Sequence, residues 1–102
     1  DQAREIARAA YRPWRKSMAF LWEWAGQAFP IPFAFPDEFD DLQNLGSGIA
    51  GSPATGRRWI EETQAASGIT CLICDMVFGS MPHEAASKSV ALFAKEVMPA
   101  FR

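Results

Sequence analysis

The sequence predicts an α/β fold, and three observations predict it. Residues 69–78, Ile69-Thr70-Cys71-Leu72-Ile73-Cys74-Asp75-Met76-Val77-Phe78, run nearly uninterrupted in apolar side chains between Gly68 and Gly79, the pattern of a strand covered on both faces. Ahead of it, Ser52-Pro53 has the chemistry of an N-cap followed by proline at the first helical position, and Gly68 is placed to end that helix. The resulting order is helix, arm, strand, helix, strand, helix, and alternating strands and helices with apolar strands make a parallel sheet.

The first segment, residues 1–27, is helical in pattern, with Ile6, Ala10, Trp14, Met18, Leu21 and Ala25 recurring at spacings of three and four. Pro13 interrupts it, which predicts a kink or a second helix opening at that proline. Arg4, Arg8, Arg12, Arg15 and Lys16 form a basic stripe. It reads as a solvated face, against the alternative of a phosphate or acidic-partner contact. Residues 28–45 form a Pro/Phe-rich arm. Phe29, Phe33, Phe35 and Phe39 alternate with Pro30, Pro32 and Pro36, and prolines at this density exclude both helix and central strand. The segment is therefore extended across its own core or toward a partner. Asp37, Glu38, Asp40 and Asp41 lack the spacing of a calcium loop and fit the acidic first turn of a short helix.

Residues 46–102 hold the strand–helix units. Gly46-Ser47-Gly48-Ile49-Ala50-Gly51 matches neither phosphate-binding glycine pattern, and a short strand over Gly48–Ala50 is the simpler reading. The helix after it, through Ser67, turns Trp59, Ile60 and Thr63 inward. Gly79-Ser80-Met81-Pro82 is a turn, and the last helix runs from His83 to Val97 with Val90, Phe93, Ala94 and Val97 inward, ended by Pro99.

The 102 residues are 49% apolar and 22% charged, the composition of one globular domain or part of one. A formal charge of −2 argues against a nucleic-acid binder. No apolar run is long enough to span a membrane, and no secretory leader opens the chain, so a cytoplasmic protein is expected. The chain has no initiator Met, which suggests a fragment or a processed product. Both cysteines lie in Cys71-Leu72-Ile73-Cys74. On a strand they point to opposite faces and read as buried small hydrophobes. A redox pair or half a zinc site is the competing reading, but His83 is the one other soft ligand, so no metal is expected.

The stretch Gly51-Ser52-Pro53-Ala54-Thr55, the strand end Phe78-Gly79, and the tail Ser87-Lys88-Ser89-Val90-Ala91-Leu92-Phe93-Ala94-Lys95-Glu96-Val97-Met98-Pro99 resemble the C-terminus of luciferase-like flavin-dependent monooxygenases, the bacterial luciferase and alkanesulfonate monooxygenase type. That family often reads G-S-P-E-T-V at the first place and S-L-x-L-F-A-x-E-V-M-P at the last. The resemblance covers residues 45–102, and the tail is its most specific part. It implies the C-terminal portion of a (β/α)₈ TIM barrel, contributing the last two strand–helix units after the long helix and the arm. It implies reduced FMN as cofactor, a small-molecule substrate, and a fragment inactive by itself because most flavin contacts lie in the missing strands. Gly56 departs from it, standing where the family has an apolar helix residue.

By the same resemblance Phe78 and Gly79 are candidate cofactor contacts. Pro82-His83 looks like a Pro-His pair that lies near the flavin in alkanesulfonate monooxygenases, making His83 the candidate catalytic residue. The competing reading of His83 is an exposed residue in a first helical turn, and one histidine with no spacing signal assembles no Ser-His-Asp set. Against the enzyme stands a non-catalytic interaction module that associates through the aromatic arm and its exposed strands. Either way a homo-oligomer is expected, because four phenylalanines in the arm need cover.

Overall fold

The structure, a computed structural model, describes residues 2–29 and 35–101. Four α-helices carry it: α1 (Gln2–Trp24), α2 (Phe39–Asn44), α3 (Pro53–Ser67) and α4 (His83–Leu92). A π-helical turn, Phe93–Val97, and a 3₁₀ turn, Met98–Phe101, continue directly from α4. The described residues contain no β-strand. The expected α/β class, and with it the C-terminal portion of a (β/α)₈ TIM barrel, is therefore corrected to a small all-helical arrangement. Neither expected strand forms a ladder: no main-chain hydrogen bond joins residues 48–51 or 69–77 to any other described main-chain group. The physical reason is that an apolar run specifies extended conformation and a wish for cover, but pairing needs a neighbour at ladder spacing. None lies beside either segment.

Helix α1 is one continuous helix through Pro13, not two. Proline removes one donor, and the carbonyl it would have served belongs to Ala9, which is exposed and open to water, as is Pro13 itself. The buried face is narrower and nearer the N-terminus than the periodicity suggests: Ala7, Ala10 and Tyr11 are buried, while Leu21 and Ala25 are exposed. Helix α2 packs across α1 and supplies Phe39 and Leu42, which join Ala7 and Tyr11 in one core cluster. Trp14, Phe35, Ala50 and Phe78 close around it. Tyr11 stacks on Trp14 with ring centroids 5.6 Å apart and meets the Phe39 ring edge-on at 6.0 Å. Such aromatic pairs add about 0.5–1.5 kcal/mol each beyond the area they bury.

Helix α3 begins and ends as its sequence dictates. The Ser52 hydroxyl accepts from the Thr55 amide at 3.2 Å, Pro53 takes the first turn, and Gly68 closes the helix at φ +69° with its amide donating to the Gln64 carbonyl. Trp59, Ile60 and Thr63 are half-buried, and none of the helix is fully buried. Its Gly56 lies over Val97 of the π-helical turn, where an added Cβ would sit 3.9 Å from a Val97 methyl. The departure at Gly56 thus falls where α3 approaches the end of the last helical segment. Ala86 and Val97 are the buried residues of this half, while Val90, expected inward, is exposed.

Candidate interaction surface

Two features stand out, an arginine ladder and an uncovered apolar run. Arg4, Arg8, Arg12 and Arg15 lie three or four residues apart, so they share one side of α1. The C-terminal part of the arm brings the acids back along it. Arg8 grips Asp40 with its Nη2 2.8 Å from Oδ2 and its Nε donating at 3.0–3.1 Å. Arg4 reaches the same carboxylate at 3.3 Å, Arg12 pairs with Glu38 at 3.0 Å, and Arg15 with Asp37 at 2.8 Å. The stripe is therefore occupied within the chain, by the acidic group read as a first helical turn.

Hydrogen bonding from Arg8, and the positive charges of Arg8 and Arg4, hold the Asp40 carboxyl below its usual value against an opposing effect of lost water. Asp40 in turn holds the Arg8 guanidinium above its own. Two main-chain carbonyls reinforce the ladder. Tyr11 donates its hydroxyl to Pro36 at 2.7 Å, and Arg15 donates to Phe35 at 2.9 Å. Burial raises the Tyr11 phenol above its ordinary value.

This strapping decides where the arm's rings go. Phe35 packs edge-on against Trp14 at 5.4 Å, Phe29 lies 6.0 Å from Phe35 beneath the Arg15 guanidinium, and Phe39 is buried. Those three fold onto their own core. Phe33 and the prolines Pro30 and Pro32 lie outside the described residues.

The apolar run has no such cover. Ile69, Leu72, Met76 and Phe78 are half-buried, while Thr70, Cys71, Ile73, Cys74, Asp75 and Val77 are exposed. Ile73 is 92% exposed, more than any other large hydrophobic residue described, and Val77 is 61% exposed. Cys71 and Cys74, expected buried, are both exposed and unbridged, because nothing covers the outer face. Loss of water nonetheless raises the Cys74 thiol above its ordinary value. No cluster of three or more His, Cys, Asp or Glu suited to a metal occurs among the described residues.

The candidate site residues sit where the run ends. Phe78 is built into the aromatic cluster. Gly79, at φ +58°, passes so close beneath α1 that an added Cβ would land on the Ala10 carbonyl and lie 3.1 Å from the Trp14 Cβ. His83 is exposed at the first position of α4, with its Nε2 3.4 Å from the Ser87 hydroxyl one turn on. The three are neighbours along the chain, and none of them lines the open depression of about 380 Å³ beside Arg12, Arg15, Lys16, Phe20 and Asp37. Sequence reasoning names exposed strands as a route to association but reads this run as covered on both faces, so it does not single out Ile73 and Val77, which face water.

No helix is long and apolar enough to cross a membrane among the described residues. No family model matches the chain, and no solved structure matches it. Among curated proteins it is similar to the uncharacterized protein y4wF of Sinorhizobium fredii (strain NBRC 101917 / NGR234), 26% identical over 98 residues. That alignment takes in 96% of this chain and 28% of the relative, so the chain spans little more than a quarter of the relative's length.

Proposed function

We propose that these residues serve as an association module, binding through the outward face of residues 69–78. The observation that carries the reading is a non-helical run with exposed apolar side chains and unpaired main-chain groups: Ile73 and Val77 face water, and residues 69–77 make no main-chain hydrogen bond with described residues. Such an edge invites strand addition. The reading puts the module in the cytoplasm, where free thiols such as Cys71 and Cys74 stay reduced. Light scattering over a dilution series tests it. A mass above 11.3 kDa that falls on dilution is the expected result, and a monomer at every concentration up to millimolar contradicts it.

A second reading is favoured by the tail Ser87–Pro99 and the turn Gly51–Thr55. In it the chain is part of a luciferase-like flavin-dependent monooxygenase that uses reduced FMN on a small-molecule substrate, without the barrel that the resemblance implied. Bound FMN would supply oxygen activation. None of Phe78, Gly79 and His83 lines the open depression beside Arg12, so the isolated chain is expected to leave FMN fluorescence unchanged. Saturable quenching by the chain would show that it carries a flavin site of its own.

A further inference from the structure

We propose that Cys71 and Cys74 form a reversible redox pair, closing to an intrachain disulfide that locks residues 71–74 into a turn and blocks association through this run. The switch rests on the association reading above, while the pair itself does not.

These are the chain's two cysteines, so an intrachain bridge has one possible pairing. Both are free and exposed, which admits a small-molecule oxidant to either sulfur. Their spacing suits closure. The first and fourth residues of a β-turn have Cα atoms within about 7 Å, and a disulfide takes Cα atoms about 4.4–6.8 Å apart. A turn with Leu72 and Ile73 at its centre therefore brings the two sulfurs within bonding reach. A type I turn keeps φ negative at both central positions, which Leu72 and Ile73 accept. Little resists such a turn. Residues 69–77 belong to no helix and make no main-chain hydrogen bond with described residues, so closure breaks no ladder and unwinds nothing. In a helix or a paired strand the same four residues would first have to give up main-chain bonds. Once closed, the chain reverses within the run, and a reversed chain cannot lie as one strand beside a partner.

The oxidant is a low-molecular-weight disulfide, with oxidised glutathione as the probe. One cysteine thiolate attacks a glutathione sulfur. The glutathione disulfide breaks, a mixed disulfide forms, and one glutathione leaves as a thiolate that takes up a proton. The second cysteine thiolate then attacks the first cysteine's sulfur, the Cys71–Cys74 bond forms, and the second glutathione leaves. The chain gives up two electrons and two protons, and oxidised glutathione becomes two glutathione thiols. Loss of water raises the Cys74 thiol, and a smaller thiolate fraction slows attack, so Cys71 takes the first step. Across so short a spacing the second thiol acts at roughly millimolar effective concentration, which favours the intrachain bond over one between chains at micromolar concentration.

The native chain, at micromolar concentration, is equilibrated with oxidised glutathione, its remaining thiols are capped, and its intact mass is read. The expected product is two hydrogens lighter, carries no glutathione and no free thiol, and regains both thiols in excess reduced glutathione. Cys74→Ser should instead hold one glutathione, and Cys71→Ser should acquire one more slowly. Two capped thiols throughout, stable glutathione adducts on the native chain, or a bond between chains in place of the intrachain one overturns the pair. Equal adduct rates overturn the order of attack. Light scattering of the oxidised and reduced chains over a dilution series tests the switch. Oxidation is expected to raise the dissociation midpoint about tenfold or more, the equivalent of losing a few cross-strand pairs, with helix content by circular dichroism unchanged. An unchanged midpoint overturns the switch and leaves the association reading standing. A monomer in both forms overturns the association reading and the switch together, and leaves the redox pair standing.

Discussion

The half of the molecule built on α1 and α2 and the half built on α3 and α4 solve the same problem with different means. The first buries Ala7, Ala10, Tyr11, Phe39 and Leu42, ringed by further aromatic side chains, and is tied along its length by four arginines. The second buries Ala86 and Val97, with none of α3 fully buried. Its helices are nevertheless well punctuated, with a side-chain cap at Ser52 and a left-handed glycine at Gly68. Local capping thus defines where a helix starts and stops, while long-range burial decides how firmly it is held. The uncovered run at 69–78 links α3 to α4 within the second half. It is anchored to the first through Phe78 and Gly79, and its outer face is left free.

The comparison breaks most severely at Phe39. Phe39→Ala should cost about 3–5 kcal/mol, the range for deleting a buried aromatic side chain. Val97→Ala, which removes far less buried surface from the second half, should cost less than half of that. Urea unfolding of the two variants measures the difference, and equal losses would mean that the halves are held alike. Next comes Gly79→Ala. The new Cβ meets both a left-handed backbone and the Ala10 carbonyl, so a loss of about 3 kcal/mol is expected. Because Gly79 joins the run to α1, this variant should loosen both halves together. A change under about 0.5 kcal/mol in the same assay would show that the close approach is not maintained.

The acid response is smaller and confined to the first half. Asp40 has a folded value below its unfolded one, chiefly through the hydrogen bond from Arg8. Its contribution is therefore complete above the unfolded carboxylate range, near pH 4, and is lost as pH falls through the lower folded value. The thermal midpoint of the native chain should fall between pH 5 and pH 2 more steeply than that of Asp40→Asn. Superimposable profiles would remove Asp40 from the clamp. Arg8 titrates too high to contribute in this window.

Much of the second half could be read from the sequence because its signals are local. Ser52, Pro53 and Gly68 act on backbone within a few residues of themselves, and the structure has all three where the sequence puts them. The arginine ladder could not be read in the same way. Arg4, Arg8, Arg12 and Arg15 look like any solvated stripe until the arm returns Asp37, Glu38 and Asp40 to them, more than twenty residues later. Residues 69–78 failed as a strand for a related reason. Their composition marks a segment between helices that wants cover, but whether a neighbouring strand exists is decided elsewhere in the chain or outside it. The same gap misplaced Cys71 and Cys74, whose burial was inferred from a sheet the described residues do not form. His83 was read both as a candidate catalytic residue and as an exposed first-turn histidine, and the exposed position is the one observed.

The central proposal is that the main chain of residues 69–77, without partners among the described residues, gains them on association. Amide hydrogen exchange of these residues, followed at micromolar and at near-millimolar chain concentration, tests it most directly. The account predicts fast exchange at the low concentration and protection that grows with concentration in residues 69–77, while the amides of α1 and α2 exchange equally slowly at both. Protection of 69–77 that is already full at the low concentration, or absent at both, would contradict it.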